Sequence, residues 1–313
     1  MKPTTLNNNL ESTPPVTTFS TEILKENFAP ESVKVRPENQ VEPNSSAEHH
    51  SGESHPLMKI ERILQAASAP KAHAQRTVLV LPAFNVANTL EKTVHALPDD
   101  LIDEIILVDD GSTDQTVRIA RGLGLRIYRQ LKSRGYGANL KMCYMRALER
   151  GGDYIIVQNP NAQYDCRLVS SMIDLLKCDV CDIVIGSRLR NRQNVREAGI
   201  PLHKYAGNRI LTTMHNALLR QQISDCFSTF RGYRRQVLKK IPFSRNSDGH
   251  AFDSQILAQA AHFGYRVADI PVIGRSSDRS FKEDLQHGVS SLRVLASYYA
   301  HKAGLRKRSI FQG

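Results

Sequence analysis

Two adjacent carboxylates followed by a Gly-Ser turn are the most chemically suggestive feature of the sequence. They occur in the stretch VDDGSTDQT, where Asp109 and Asp110 directly follow the apolar run IILV. At the end of a strand, such a pair can accept hydrogen bonds from a nucleobase N–H and from ribose hydroxyls. The same letters also fit a plain turn in which Asp114 caps a following helix. The elements around the motif favour the nucleotide-binding interpretation.

From residue 76 onward, the chain alternates apolar strands with helices. Strand-like runs occur in TVLVLPAF, DEIILVDDGS, LRIYRQ, DYIIVQNP and CDIVIGSR, and the first four are each followed by a segment with helical spacing. This alternation predicts an α/β fold with a mostly parallel central sheet covered by helices on both faces. Further helices are predicted near 204–219, 254–263 and 285–303. Because ligands of such sheets bind beyond the carboxyl ends of the strands, polar residues at those ends become candidate site residues.

The first 75 residues differ in composition from the rest of the chain. They are rich in Ser, Thr, Pro, Asn and Glu and contain neither Cys nor Asp, so they cannot bury enough apolar surface to offset the entropy of ordering. We predict a disordered tail over 1–75, one folded domain over 76–305 and a basic C-terminal tail over 306–313. The N-terminal tail carries seven Lys/Arg against nine Glu; since the whole chain is +11, the remainder is +13. Such a basic body favours phosphate-rich partners.

Several classes of protein are disfavoured by the composition. The five cysteines do not form a disulfide framework, and the CxxC spacing of Cys178 and Cys181 lacks the second pair or nearby His of a zinc site. No helix-turn-helix or RNA-binding signature is present, so we expect no nucleic-acid partner. No apolar run reaches the roughly 18 residues of a membrane-spanning helix, and no signal-peptide core is evident. We therefore expect a cytoplasmic protein, either free or at the cytosolic face of a membrane.

Five ordered motifs together resemble the family 2 glycosyltransferases. They are PAFNVANTLEKTV, VDDGSTDQTV, RGYGANLKMCYMRAL, NPNAQYD and IGSR, and they are most similar to the branch of dolichol- and polyprenyl-phosphate mannose and glucose synthases. The similarity runs from about Thr77 to about Leu295. It implies a GT-A fold with a single nucleotide-binding domain. It also implies inverting transfer of a sugar from a nucleotide-sugar donor to a lipid-phosphate or saccharide acceptor.

The resemblance also implies which residues bind the donor. Pro82 and Ala83 would line the base pocket. Asn85 matches the motif at the end of the first strand, but Val86 stands where an acidic residue is common, so one expected polar contact to the donor is missing. One or both carboxylates of the Asp-Asp pair would bind the base or ribose. A glycine-rich loop would support the donor, and an arginine would lie near the diphosphate, whose geometry suits a guanidinium. In chain order these residues are Pro82, Ala83, Asn85, Asp109, Asp110, Arg134, Gly135 and Arg188.

On the acceptor side, the stretch NSDGHAFDSQILAQA resembles the corresponding segment of the same branch. A carboxylate there, Asp253 or more weakly Asp248, can act as general base on an acceptor hydroxyl. Asp253 equally fits the role of a helix N-cap, and a lipid-phosphate acceptor is already anionic and needs no base.

Basic residues follow this segment. In GRSSDRSFKE they match a loop that holds phosphate groups of donor or acceptor in the family; an exposed charged loop is the alternative. The helix near 285–303 is amphipathic and precedes a basic segment, so it either rests on an anionic membrane or packs on its own domain. The basic residues of the loop are Arg275, Arg279 and Lys282.

The segment QNPNAQYD departs from the family at its metal site. The resemblance implies one or two Asp there, holding Mg²⁺ or Mn²⁺ against the donor diphosphate, but Asn159 and Asn161 occupy the matching positions. Hard divalent cations favour charged oxygen ligands, so metal binding should be weak unless Asp165 substitutes beside Asn161. Three alternatives remain: an enzyme that uses cationic side chains such as Arg188 instead of metal, an enzyme with weakly held metal, or a non-catalytic nucleotide-binding or scaffold protein.

Overall fold

The computed structural model describes residues 75–191, 195, 199–274 and 281–312, without the side chains of 281–284. The predicted N-terminal tail therefore lies outside the described residues, apart from residue 75. So do Arg275 and Arg279, and the side chain of Lys282 is not described.

A seven-stranded sheet forms the centre of this part of the chain. Its spatial order is β3-β2-β1-β4-β6-β5-β7. Strand β6 is antiparallel to both of its neighbours, and every other pairing is parallel. This confirms the predicted mostly parallel sheet, although β6 and β7 were not foreseen. The strands are β1 (Thr77–Ala83), β2 (Glu104–Asp109), β3 (Arg126–Arg129), β4 (Tyr154–Val157), β5 (Ile183–Ser187), β6 (Arg231–Arg234) and β7 (Val267–Pro271).

Helices pack on both faces of the sheet, as predicted. Alternate residues of β1 show this directly, because Val80 belongs to one buried apolar cluster and Leu79 to the other. Helices α3, α6, α7 and α8 contribute to the cluster around Val80, and α1, α2 and α4 to the cluster around Leu79. The helices are α1 (Ala87–His95), α2 (Thr116–Gly122), α3 (Tyr136–Glu149), α4 (Val169–Lys177), α5 (Leu202–Leu219), α6 (Arg235–Lys240), α7 (Phe252–His262) and α8 (Phe281–Lys302).

The C-terminal segment, residues 306–312, packs on the folded domain. Residues Ser309–Phe311, within the segment predicted as a basic tail, form a short 3₁₀ helix whose Phe311 is buried in the apolar cluster around Val80. No helix in the described ranges is both long and apolar enough to cross a membrane.

Candidate functional site

The ends of β1 and β2 are tied together by the side chain of Asn85. Ala83 lies opposite Asp109 in the parallel register, and the amide of Asp110 donates to the Ala83 carbonyl at 2.9 Å. Asn85 has a φ of 51°, a left-handed conformation that Asn tolerates better than most residues. Its Oδ1 accepts a hydrogen bond from the Thr113 amide at 2.9 Å. Asn85 therefore fixes the position of the Asp-Asp-Gly-Ser turn.

The two carboxylates of that turn have different surroundings. Asp109 is fully buried, where it accepts the Ser112 amide at 3.2 Å and lies 3.4 Å from Nε of Arg129. Asp110, 5% exposed, accepts the Ser133 hydroxyl at 2.7 Å and the Arg134 amide at 3.0 Å. An ionised carboxylate has about four lone-pair sites, so Asp110 keeps acceptor capacity for a ligand while holding the loop before α3.

The glycine-rich loop leads into α3, whose N-terminus is closed by a distant segment. Gly135 has a φ of 101°, which favours glycine. The amides of Gly137 and Ala138 donate to the carbonyl of Asp248 at 2.7 and 3.2 Å, which satisfies two of the N–H groups that a helix start leaves unpaired. A Cβ at Gly137 would lie 2.3 Å from the Ser247 carbonyl oxygen. The glycine thus allows the segment 247–249 to seat on α3.

Both candidate general bases are engaged within the protein. The carboxylate of Asp248 pairs with the Lys141 ammonium at 2.8 Å. Asp253, in the first turn of α7, is buried; one of its oxygens accepts the Tyr136 hydroxyl at 2.7 Å and the other lies 3.5 Å from the Arg231 guanidinium.

Sequence reasoning missed Tyr136 and Arg231, which hold Asp253. Burial is the largest single influence and lowers the pKa of Arg231, but Asp253 and three neighbouring tyrosines together raise it further, so the net pKa lies above the ordinary value. Arg231 also donates to the carbonyls of Ser228 at 2.8 Å and Cys226 at 3.0 Å. The signal that could have found it is a charged residue between aromatic neighbours in FRGY, because a buried charge needs a partner.

The segment after β4 does not offer a set of metal ligands. Nδ2 of Asn159 donates to the Thr229 hydroxyl at 3.1 Å, and Oδ1 of Asn161 accepts the Gln163 amide at 3.3 Å. Asp165 accepts three side-chain hydrogen bonds from Arg167, which hold the pKa of that carboxyl below its usual range. Among the residues described, no three His, Cys, Asp or Glu side chains lie together as they would around a metal ion. In this segment the carboxylate is that of Asp165, and it is already paired with Arg167 at 2.6 Å.

Arg188 follows β5 at the same edge of the sheet. Its Nε donates to the buried Asp225 carboxylate at 3.1 Å, and its side chain is 12% exposed. Its guanidinium lies 5.7 Å from the centre of the Tyr164 ring. The hydroxyl of Tyr164 is 3.3 Å from that of Thr229, which also binds Asn159. Arg188 is therefore fixed beside the asparagine segment.

Contacts connect nearly all the described candidate residues into one network along this edge. Asp110 is joined to the loop before α3, and the first turn of α3 to Asp248 and Asp253. Asp253 is joined through Arg231 to Ser228 and so to Tyr164. Pro82 and Ala83 are buried at the end of β1. The predicted contributions of Arg275, Arg279 and Lys282 stay predictions.

A mostly parallel sheet flanked by helices, with polar residues gathered at its carboxyl edge, is the architecture of an open α/β protein that binds its ligand at that edge. The model of the family "Glycosyl transferase family 2" matches residues 78–242, and the chain belongs to that family. The family predicted from the five motifs is confirmed, and the protein is a glycosyltransferase of the hexosyltransferase type.

Two curated relatives are similar over most of the domain. The polyprenol monophosphomannose synthase of Mycolicibacterium smegmatis is 28% identical over 209 residues, which are 63% of this chain and 77% of that protein. The low-salt glycan biosynthesis hexosyltransferase Agl6 of Haloferax volcanii is 28% identical over 249 residues. That match covers 76% of this chain but only 56% of Agl6.

Solved structures of glucosyl-3-phosphoglycerate synthase from Mycobacterium tuberculosis share the fold. The complex with UDP has a TM-score of 0.56 at 19% identity, covering 82% of this chain and 88% of that one. A complex with Mn²⁺, UDP and phosphoglyceric acid has a TM-score of 0.55 at 20% identity, covering 80% and 84%. At these identities the likeness shows the fold alone, and it confirms the predicted GT-A architecture.

Proposed function

We propose that the protein transfers a hexosyl group from a nucleotide-sugar donor to a lipid-phosphate acceptor, with inversion and without a firmly held metal ion. In this reaction a phosphate oxygen of the acceptor forms a bond to the anomeric carbon. The bond from that carbon to the donor diphosphate breaks, and the nucleoside diphosphate leaves with the bonding electrons.

The observation that carries this acceptor class is the engagement of both candidate bases. Asp253 is held between Tyr136 and Arg231, and Asp248 pairs with Lys141. A hydroxyl acceptor would need a carboxylate that is ready to take its proton. A phosphate acceptor needs none, because it is anionic at neutral pH. The similarity to a polyprenol monophosphomannose synthase supports the same acceptor.

The proposed metal independence depends on the residues around Arg188. The leaving diphosphate develops negative charge that must be stabilised in the transition state. Asn159 and Asn161 supply no charge, whereas the guanidinium of Arg188 is preorganised by Asp225. Proposed further cations are Arg279 and Lys282.

The first test is a transfer assay with the purified full-length protein. Labelled UDP-glucose and GDP-mannose are each offered with polyprenyl phosphate or with phosphoglyceric acid, in Mn²⁺ or in EDTA. We expect a labelled polyprenyl product that forms equally in EDTA. Product on phosphoglyceric acid alone would refute the acceptor class, and loss of product in EDTA would refute metal independence. Nucleotide binding without turnover of either donor would argue for a non-catalytic protein.

The second test substitutes Arg188 and separates catalysis from stability. Arg188→Gln should lower kcat by about 10²–10³-fold, the usual cost of removing one preorganised donor to developing charge. Because the substitution also leaves buried Asp225 without its cation, the double variant R188Q/D225N serves to restore stability without restoring activity. Arg190→Gln, an exposed substitution two residues away, is the charge-matched control. If R188Q/D225N regains activity along with its melting temperature, Arg188 acts only in folding.

A further inference from the structure

A cavity of about 390 Å³ lies between α7, α8 and the C-terminal segment. This volume falls within the roughly 300–1,000 Å³ of small-molecule sites. None of the residues assigned to the donor or acceptor lines it. Its polar lining consists of Gln255, Ser290, Arg293, Ser297, Arg308 and Ser309.

The charge of the lining is entirely positive. Two guanidinium groups, those of Arg293 and Arg308, meet three serines, and no Asp or Glu lines the cavity. In the part of the chain that the structure describes, neither arginine forms an ion pair, and the buried Nε of Arg308 has no acceptor. Arginine forks and hydroxyl donors together match the several acceptor oxygens of a phosphate group.

The wall formed by the C-terminal segment is fixed in place. The Ile310 carbonyl accepts Nε2 of Gln259 at 2.7 Å, and the carbonyls of Ser309 and Gln312 both accept the Arg245 guanidinium at 2.8 Å. The Arg308 amide donates to Nδ1 of His301 at 3.1 Å. These bonds position Arg308 opposite α8, so the cavity is preformed and a ligand would not have to order the segment.

From this geometry we propose that the cavity binds a molecule bearing a terminal phosphate group, separately from the donor site. The group comes either from a soluble phosphomonoester or from a lipid headgroup, which present the same oxygens. Gln255 places the ligand near the acceptor side, because its Oε1 accepts the amide of Ser247, in the segment that closes α3.

The test uses the full-length protein saturated with UDP, so that phosphate cannot bind in the donor site. Glycerol 3-phosphate is titrated by calorimetry. Vesicles of phosphatidylcholine with phosphatidic acid are compared by co-sedimentation with vesicles that carry the same negative charge as phosphatidylserine, which has no terminal phosphate group. At least one of the two phosphate sources should bind. Arg293→Gln and Arg308→Gln should each weaken that binding at least tenfold, and which source binds identifies the origin of the group.

Arg306→Gln is the matched control, because Arg306 is exposed and does not line the cavity. We expect it to change the affinity by less than twofold. Arg293 is itself exposed, so Arg293→Gln should fold normally, which a melting curve checks. The proposal is overturned if neither phosphate source binds, or if Arg293→Gln and Arg306→Gln bind equally well. Neither result bears on sugar transfer.

Discussion

At the scale of single residues, Asp110 combines a structural task with a predicted ligand contact. Its two oxygens accept the Ser133 hydroxyl and the Arg134 amide, and these two bonds hold the loop before α3. We predict that Asp110→Ala weakens UDP binding at least tenfold, which corresponds to about 1.4 kcal/mol. Isothermal titration calorimetry with UDP measures the change directly.

Asp99→Ala provides the comparison for that measurement. Asp99 is an exposed aspartate in the 3₁₀ turn before β2, at the opposite end of that strand from Asp110. Its loss should leave UDP affinity unchanged. Wild-type affinity in Asp110→Ala would show that the nucleotide pocket lies elsewhere.

At the scale of elements, the seat of segment 247–249 on α3 depends on Gly137. A Cβ there would approach three backbone atoms within 3 Å, those of Ser247, Asp248 and Gly249, and backbone cannot rotate away as a long side chain can. We predict that Gly137→Ala lowers the free energy of unfolding by about 1–3 kcal/mol, as overpacking does. Urea denaturation followed by circular dichroism measures it.

Gly122→Ala is the matched substitution, since a Cβ at the end of α2 meets no atom within 4 Å. There the gain in helix propensity should stabilise the protein by about 0.5–1 kcal/mol. Equal effects at the two glycines would mean that the contact with segment 247–249 adds no constraint.

The packing of α5 on α8 includes a buried histidine whose titration should be visible in stability. Burial, followed by the charge of Arg231, lowers the pKa of His215 from 6.5 to about 4. Its Nε2 shares a hydrogen bond with the hydroxyl of Ser291. Because the unfolded chain takes up this proton near pH 6.5 and the folded chain only near pH 4, stability should fall as the pH is lowered through that window. The slope attributable to His215 is at most about 1.4 kcal/mol per pH unit.

Denaturation curves from pH 4.5 to 7.5 for wild type and His215→Gln test this assignment. The variant should lose less stability on acidification, whatever its absolute stability at pH 7. His95→Gln, an exposed histidine at the end of α1, should follow the wild-type slope. Parallel curves for wild type and His215→Gln would contradict the assignment.

The strands found from the sequence and those missed differ in what stabilises them. Strands β1, β2, β4 and β5 carry mostly apolar runs that are buried, so their pattern is visible locally. Strand β6 reads RGYR, and its buried first residue is satisfied by Asp253 on α7 and by the carbonyls of Ser228 and Cys226. The half-buried edge strand β7 ends at Pro271 and has no clear alternation of buried and exposed residues. Both strands depend on tertiary partners that a local pattern cannot reveal.

The start of α1 shows the same limit. Asn88 is of a residue type that commonly caps helices, but the helix begins at Ala87 after Val86. The amide of Ala87 instead donates to the Asp114 carboxylate at 3.1 Å, across from the turn after β2. Burial, the largest single influence, raises the pKa of Asp114. The hydrogen bonds from Thr116 and Ala87 together lower it more, so the net pKa lies below the ordinary value. The partner of this helix start is distant in sequence and close only in the fold.

At the scale of the whole molecule, the positions of the strand ends were predictable and the partners of the side chains were not. A parallel sheet brings its carboxyl ends to one edge, which is why the sequence alone predicts that Asp110 and Arg188 lie at that edge. Arg231 and Asp253 come from segments that meet only after folding. Asp165 pairs with Arg167, two residues away, and this local pairing would compete with a ligand for the carboxylate. The residue types Asn159 and Asn161 already predict weak metal binding from the sequence, and these pairings add support for the proposed cationic site and anionic acceptor.

The net charge and one face of α8 together lead to the last prediction, which concerns anionic membranes. Leu285 (58% exposed), Val289 and Leu292 lie on one face of the helix, and the residues from 76 onward carry +13. An apolar face on a basic body binds anionic bilayers through buried area plus charge. The full-length protein should co-sediment with vesicles containing 30% phosphatidylserine at low salt and dissociate in 0.5 M salt, where charges are screened within several ångströms.

Leu285→Glu should weaken the association, whereas Leu131→Glu, an exposed leucine in the loop after β3, should not. Equal retention of the two variants on the vesicles would mean that α8 does not contact the bilayer and that the net charge alone accounts for any association.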